Sequence, residues 1–269
     1  MPATIDVRHR NNVTESGNPA GRPIVFAHGF GCSKEVWREV APEFEADYRV
    51  IVFDHVGAGG SDLSANDEAK YDSLHGYADD VLEILDGLDL NDAVFVGHSV
   101  SSMIGVLAAN RDPSRFGQLV LVGPSPSYIN EGGYIGGFDK ADIDELLETL
   151  DSNYLGWSAK IAPIIVGNPD RPELGDTLTS SFCSIDPRIA RHFAHVTFLS
   201  DNRADLSDVS VPTLVIQCTD DVIAPFEVGD FVHEQIAHST LVVLAAKGHV
   251  PSLSGPAEVV AAIRAHLNA

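Results

Sequence analysis

Short apolar runs recur along the chain with amphipathic stretches between them, and that alternation predicts the fold. Pro23-Ile24-Val25-Phe26-Ala27, Arg49-Val50-Ile51-Val52-Phe53 and Ala93-Val94-Phe95-Val96-Gly97 are rich in β-branched and aromatic residues and read as buried strands. Residues 118–122, 213–217 and 241–244 repeat the pattern. Between the second and third runs, Val81, Leu82, Ile84, Leu85 and Leu88 form one apolar stripe, which predicts a helix over 77–88. Further helices are predicted from Ser99 through Asn110 and over 257–267. Strands alternating with helices imply a largely parallel sheet with helices on both faces, so the predicted class is α/β.

The rhythm breaks between about Pro124 and Asp201. A glycine-rich stretch, Gly132-Gly133-Tyr134-Ile135-Gly136-Gly137, leads into helical patterns over 140–154, from near Gly156, and over 173–184 and 186–199, with no strand-like run among them. An all-helical insertion after a sheet strand predicts a cap over a site. The expected organisation is a core of residues 1–124 and 201–269 with a helical cap, 125–200, inserted into it.

Charge narrows the partners. Asp and Glu number 39 against 17 Lys and Arg, a formal net charge of −22. Such a surface repels phosphate backbones and anionic lipid, so neither nucleic acid nor membrane is an expected partner. Cys32, Cys183 and Cys218 are far apart, odd in number and without metal-type spacing, which suits free thiols in a reducing compartment. No apolar signal core is read in Met1-Pro2-Ala3-Thr4-Ile5-Asp6, and no apolar run approaches the length of a membrane span. The expectation is a soluble, cytoplasmic protein that needs no metal and no cofactor.

The candidate chemistry centres on Val96-Gly97-His98-Ser99-Val100-Ser101, which follows an apolar strand and opens a helix. That is the setting of a nucleophile elbow, where a sharp turn presents a serine hydroxyl beside helix N-terminal amides. The pattern departs from G-x-S-x-G at its last position, where Ser101 stands for glycine; tolerance with slight strain is expected there. A weak hydroxyl nucleophile needs a base, and the base an orienting acid, in the chain order serine, acid, histidine. His249 follows the last strand in Lys247-Gly248-His249-Val250-Pro251. Asp220 and Asp221 both follow the preceding strand, and Asp221 is preferred for its spacing to Pro225. Ala27-His28-Gly29-Phe30-Gly31 lets backbone approach a substrate oxygen, which makes the Phe30 and Val100 amides the expected oxyanion donors. Phe30, Phe138, Trp157, Phe182, Phe193 and Phe198 would line an apolar pocket, with His98 also facing substrate. The glycine-rich loop 54–62 is read as structural, since no Gly-Lys-Ser/Thr follows it.

These residues resemble a known group of α/β-hydrolases. His28-Gly29-Phe30-Gly31-Cys32, Phe53-Asp54-His55-Val56-Gly57 and Gly97-His98-Ser99-Val100 are similar to RsbQ, the stress-signalling hydrolase of bacilli, and to plant strigolactone and karrikin receptors. The likeness continues through Asn153-Tyr154-Leu155-Gly156-Trp157, Asn168-Pro169-Asp170-Arg171-Pro172-Glu173 and Phe182-Cys183-Ser184-Ile185-Asp186-Pro187, cap included. It implies a four-helix lid over a hydrophobic pocket, with Ser99 as nucleophile, Asp221 as acid and His249 as base. It also implies slow hydrolysis of a small hydrophobic ester or lactone. The expected function is therefore a serine hydrolase acting by acyl transfer. The alternative is a ligand-sensing module whose hydrolysis is incidental to binding a signalling protein partner.

Overall fold

The computed structural model describes residues 5–268. The stretch Met1-Pro2-Ala3-Thr4, part of the segment read above for a signal core, lies outside the described residues. Seven strands form one sheet: β1 (Thr14–Gly17), β2 (Arg22–Ala27), β3 (Tyr48–Phe53), β4 (Ala93–His98), β5 (Phe116–Val122), β6 (Thr213–Cys218) and β7 (Ser239–Leu244). Their order is β1-β3-β2-β4-β5-β6-β7; β1 runs antiparallel on the edge and the rest are parallel. Every residue of β4 is buried, as a central strand covered on both faces requires.

Alternate residues of the inner strands feed two cores. Val25, Ile51, Phe95 and Leu121 point to one face, where they meet α2 (Leu74–Gly87) and α3 (Val100–Arg111). Ile24, Val50, Val94 and Val120 point to the other, where they meet Trp37, Phe44 and α10 (Pro256–Leu267). Fully burying each such Val or Ile stabilises the fold by roughly 1.5–3 kcal/mol, so the period of two fixes which way each strand faces. Helix α3 is buried from Val100 to Ala109 on every side, which explains why its residues there are apolar or small all round.

The six predicted strands and the three predicted core helices all form, with ends shifted by a few residues. Four helices follow β5 before the chain returns to the sheet at β6: α4 (Lys140–Ser152), α5 (Tyr154–Val166), α6 (Pro172–Cys183) and α7 (Pro187–Phe198). Asp139 and Asp142 form a capping box at the start of α4, the Asp186 side chain caps α7, and Gly167 ends α5 in the left-handed conformation. Not anticipated were the single-turn helix α1 (Val7–Arg10), the exposed edge strand β1, α8 (Phe226–Gln235) and the single-turn helix α9 (Pro251–Ser254). None of the described helices is long and apolar enough to cross a membrane.

Because β2, β4, β6 and β7 are parallel, the segments that follow them all emerge at one edge of the sheet. These carry Phe30, Ser99, Asp221 and His249 respectively. The strand order reverses around β2, and a crevice at the carboxyl edge beside such a reversal is where open α/β sheets bind ligands.

Candidate active site

Ser99 joins β4 to α3 with φ 56° and ψ −123°, a conformation strained for any residue but glycine. The turn is tight enough that a Cβ on Gly97 would sit 2.4 Å from the Ser101 carbonyl oxygen, so that position admits only glycine. Ser99 Oγ lies 2.7 Å from His249 Nε2, and His249 Nδ1 lies 2.7 Å from Asp221 Oδ2. All three residues are buried. The other Asp221 oxygen accepts from the Ile223 and Ala224 amides at 2.8 and 3.0 Å, which pins the carboxylate. An ionised carboxylate has no proton to give, so Nδ1 carries the hydrogen and Nε2 presents a lone pair to the serine hydroxyl.

The loops that carry the acid and the histidine are tied together. The Gly248 amide donates to the Asp220 carbonyl at 3.2 Å, and the His249 amide to the Ile165 carbonyl of α5 at 2.9 Å. Of the two aspartates weighed from the sequence, Asp221 faces His249, while Asp220 turns outward to an exposed pair with Lys247.

The expected oxyanion donors are the Val100 and Phe30 amides, which lie on the segments that follow β4 and β2. Val100 opens α3, so its N–H is among those a helix leaves without an intrahelical acceptor. Phe30 sits within the turn closed by Cys32 N–H donating to the Gly29 carbonyl at 3.2 Å. Gly31 in that turn has φ +75°, and a Cβ there would fall 2.1 Å from the Phe182 ring.

The Phe30 ring is packed into aromatics of α5, α6 and α7: Phe182 at 5.5 Å, Phe193 at 5.8 Å, Phe198 at 6.0 Å and Trp157 at 6.4 Å between centroids. Phe30, Trp157, Phe182 and Phe198 border a cavity above Ser99. Phe193 does not, because it lies behind Phe30, stacked on Tyr77 at 4.4 Å. Phe138 also falls outside the cavity wall, since its backbone is held in a bridge with Ile129. The cavity is small, about 30 Å³, room for one or two water molecules. Sequence reading missed Cys32, Tyr128, Ile165, Leu178, Thr197, Ile223 and Val250 in its wall. Tyr128 is buried against Phe198 with its hydroxyl turned to Ser99, and burial pushes that phenol well above its ordinary pKa. A tyrosine in an irregular loop carries no periodic signal that could have singled it out.

His98 borders the cavity, but its ring is committed to structure: Nε2 donates to the His249 carbonyl at 2.7 Å. Burial pushes its pKa down to about 3. His28 and His55 are fully buried, and burial lowers both. A histidine kept neutral in the fold but free to protonate when unfolded gives the unfolded state more bound protons at acid pH. Stability contributed by His98 is therefore complete above about pH 6.5 and declines as pH falls toward 3. Each such histidine should add about 1.4 kcal/mol of loss per pH unit within its window. Urea unfolding at pH 7 and pH 5 measures this; a His98→Gln variant should show a flatter dependence, and an identical slope would contradict the assignment.

The slight strain expected at Ser101 is not found. Ser101 lies in the regular first turn of α3, the strain falls on Ser99, and the Ser101 hydroxyl is hydrogen-bonded to the His28 carbonyl and His55. The loop 54–62 is held by Asp54, which accepts from the Lys34 amide at 2.7 Å, the Gly60 amide at 2.9 Å and Asn12 at 2.8 Å. Among the described residues no cluster of three or more His, Cys, Asp or Glu is arranged to hold a metal ion.

Comparison with known proteins places this arrangement. Residues 22–256 match the family model described as alpha/beta hydrolase fold. A karrikin insensitive 2 receptor of Petunia hybrida is 35% identical over 265 residues, covering 98% of this chain and 97% of the relative. A strigolactone esterase of Arabidopsis thaliana is 36% identical over 244 residues, covering 90% and 91%. The solved structure of a hydrolase from Oleispira antarctica superposes with a TM-score of 0.94 at 40% identity, covering 98% of this chain and 97% of that one. With its parallel sheet, its serine at a strained strand–helix turn and a family match over most of its length, this chain belongs to the α/β-hydrolase family.

Proposed function

We propose that the protein is a serine hydrolase that cleaves a small, largely apolar ester or lactone by acyl transfer. The observation that carries this reading is the unbroken relay from Ser99 Oγ through the His249 ring to Asp221, with both steps at 2.7 Å. As Ser99 Oγ attacks the substrate carbonyl carbon, His249 Nε2 takes the hydroxyl proton. The carbonyl π electrons move to oxygen, where the Phe30 and Val100 amides stabilise the charge. Collapse expels the alcohol, which leaves with the proton from His249. Water then attacks the acyl-serine with His249 again as base, releasing the acid. Asp221 holds the imidazole in the tautomer that can accept.

In the same reading residues 125–200 form a lid on a core of 1–124 and 201–269. The lid closes the site so far that a substrate must displace part of the wall. Trp157 is braced by Phe30, Tyr154 and Phe182, whereas Cys32 and Leu178 form a wall shared with a cleft of about 280 Å³ between the 32–38 segment and α6. Leu178 is thus the side chain that yields most readily. Turnover of p-nitrophenyl esters from acetate to hexanoate tests the reading. Wild type should favour the shortest acyl groups. Leu178→Ala should raise the hexanoate-to-acetate ratio of kcat/KM about tenfold, the value of one or two methylenes in a pocket. An unchanged ratio would place the substrate elsewhere.

A second reading draws on the relatives, one a karrikin receptor and another a strigolactone esterase. In it the protein senses a small hydrophobic ligand, with slow hydrolysis incidental to a signalling partner, as the resemblance to RsbQ suggests. A ligand that raises Tm without measurable turnover would favour this reading. Three free cysteines, two of them buried, fit a reducing cytoplasm in either case.

A further inference from the structure

The two segments that carry the oxyanion amides, 28–31 and 99–101, are joined by one buried hydroxyl. Ser101 Oγ donates to the His28 carbonyl at 2.5 Å and lies 2.7 Å from His55 Nε2. A serine has one proton to give. Since the His28 carbonyl takes it, His55 Nε2 must itself be the donor to Oγ, which sets His55 as the Nε2–H tautomer. His55 Nδ1 then carries a lone pair, and it is buried without a partner among the described residues.

The next link is also determined. The His55 amide donates to His28 Nε2 at 3.1 Å, so His28 holds its proton on Nδ1 and gives it to the Gly29 carbonyl at 2.9 Å. The rings are clamped at centroid distances of 4.8 Å to each other, with Phe53 at 5.2 Å and Tyr77 at 5.7 Å from His55. Every proton in this chain has one place to be. Its ends are the residue two before Phe30 and the residue two after Ser99.

We infer that Ser101, with His55 and His28 behind it, is a positioning residue that holds the Phe30 and Val100 amides at the separation an oxyanion requires. The inference rests on the proposed role of Ser99. It accounts for serine where the elbow pattern has glycine: the hydroxyl replaces loose packing with a directed link between the donor segments. Oxyanion donors act only when placed to within a few tenths of an ångström of where charge develops, so loss of the link should fall on the transition state and spare ground-state binding.

The test is steady-state kinetics on a short-chain ester with Ser101→Ala, Ser101→Gly and Ser101→Thr. Inhibition by an alkylboronic acid, which becomes tetrahedral on the serine, is measured alongside. Alanine and glycine should lower kcat about tenfold or more, weaken the boronate in parallel and leave KM within about twofold. Threonine keeps the hydroxyl and should recover most of kcat. Unchanged kcat in Ser101→Ala, or a loss confined to KM, would overturn the inference while leaving Ser99 intact as nucleophile. Turnover that survives Ser99→Ala would instead remove the reading beneath it. Should the alanine and glycine variants fail to fold, ¹⁵N spectra of the wild-type histidines decide: His55 must be the neutral Nε2–H tautomer, and an Nδ1–H or doubly protonated ring contradicts the network.

Discussion

Ser99→Ala is expected to lose turnover by a factor on the order of 10³–10⁶, with the fold intact. The substitution removes the hydroxyl that lies 2.7 Å from His249 Nε2, at a turn whose backbone strain is set by β4 and α3 and not by the side chain. Alanine at φ 56° is scarcely more strained than serine, so circular dichroism and Tm should stay near wild type. What survives should be the weak effect of amides and pocket on attack by water. Initial rates on p-nitrophenyl acetate measure the loss; a decrease of less than about tenfold would mean that Ser99 is not the nucleophile.

Asp221→Asn should cost nearly as much, about 10⁴ in kcat, for a reason specific to this loop. The Ile223 and Ala224 amides both donate to one Asp221 oxygen, so an asparagine would keep its carbonyl there and turn its NH₂ toward His249. His249 would then have to accept at Nδ1 and carry its proton on Nε2, pointing a hydrogen at Ser99 where a lone pair is needed. KM should change little. Asp220→Asn is the internal control: its carboxylate pairs with Lys247 at the exposed surface, and activity should stay within about threefold of wild type. Equal losses at the two positions would mean that the acid had been misassigned.

What could be read from the sequence follows from where the signal lies. Strands such as 93–97 were legible because both faces are buried, leaving an unbroken apolar run. Thr14-Glu15-Ser16-Gly17 was not, because an exposed edge strand needs no apolar residue; only its pairing with β3 makes it a strand. The elbow could be read from its motif, and chain order then pointed to the loops after β6 and β7, since a parallel sheet sends every following loop to one edge. The preference for Asp221 over Asp220 rested on its spacing to Pro225. The pocket was only partly legible. Phe182 and Phe193 look alike in sequence, and which one faces Ser99 depends on how α6 and α7 rotate against Phe30. Ser101 looked like a mild defect because a motif compares residues one at a time. Its partners, His28 and His55, are 73 and 46 residues away, and their meeting is a property of the fold.

The most direct test of the central claim is intact-mass analysis after exposure to a small alkyl fluorophosphonate, run beside Ser99→Ala. Only a serine activated by its base reacts at a useful rate, whatever the natural substrate is. The account predicts one phosphonyl adduct per wild-type chain, mapped to the peptide that holds Ser99, and none on the variant. An unlabelled, folded wild-type protein, or an adduct that persists in Ser99→Ala, would contradict it.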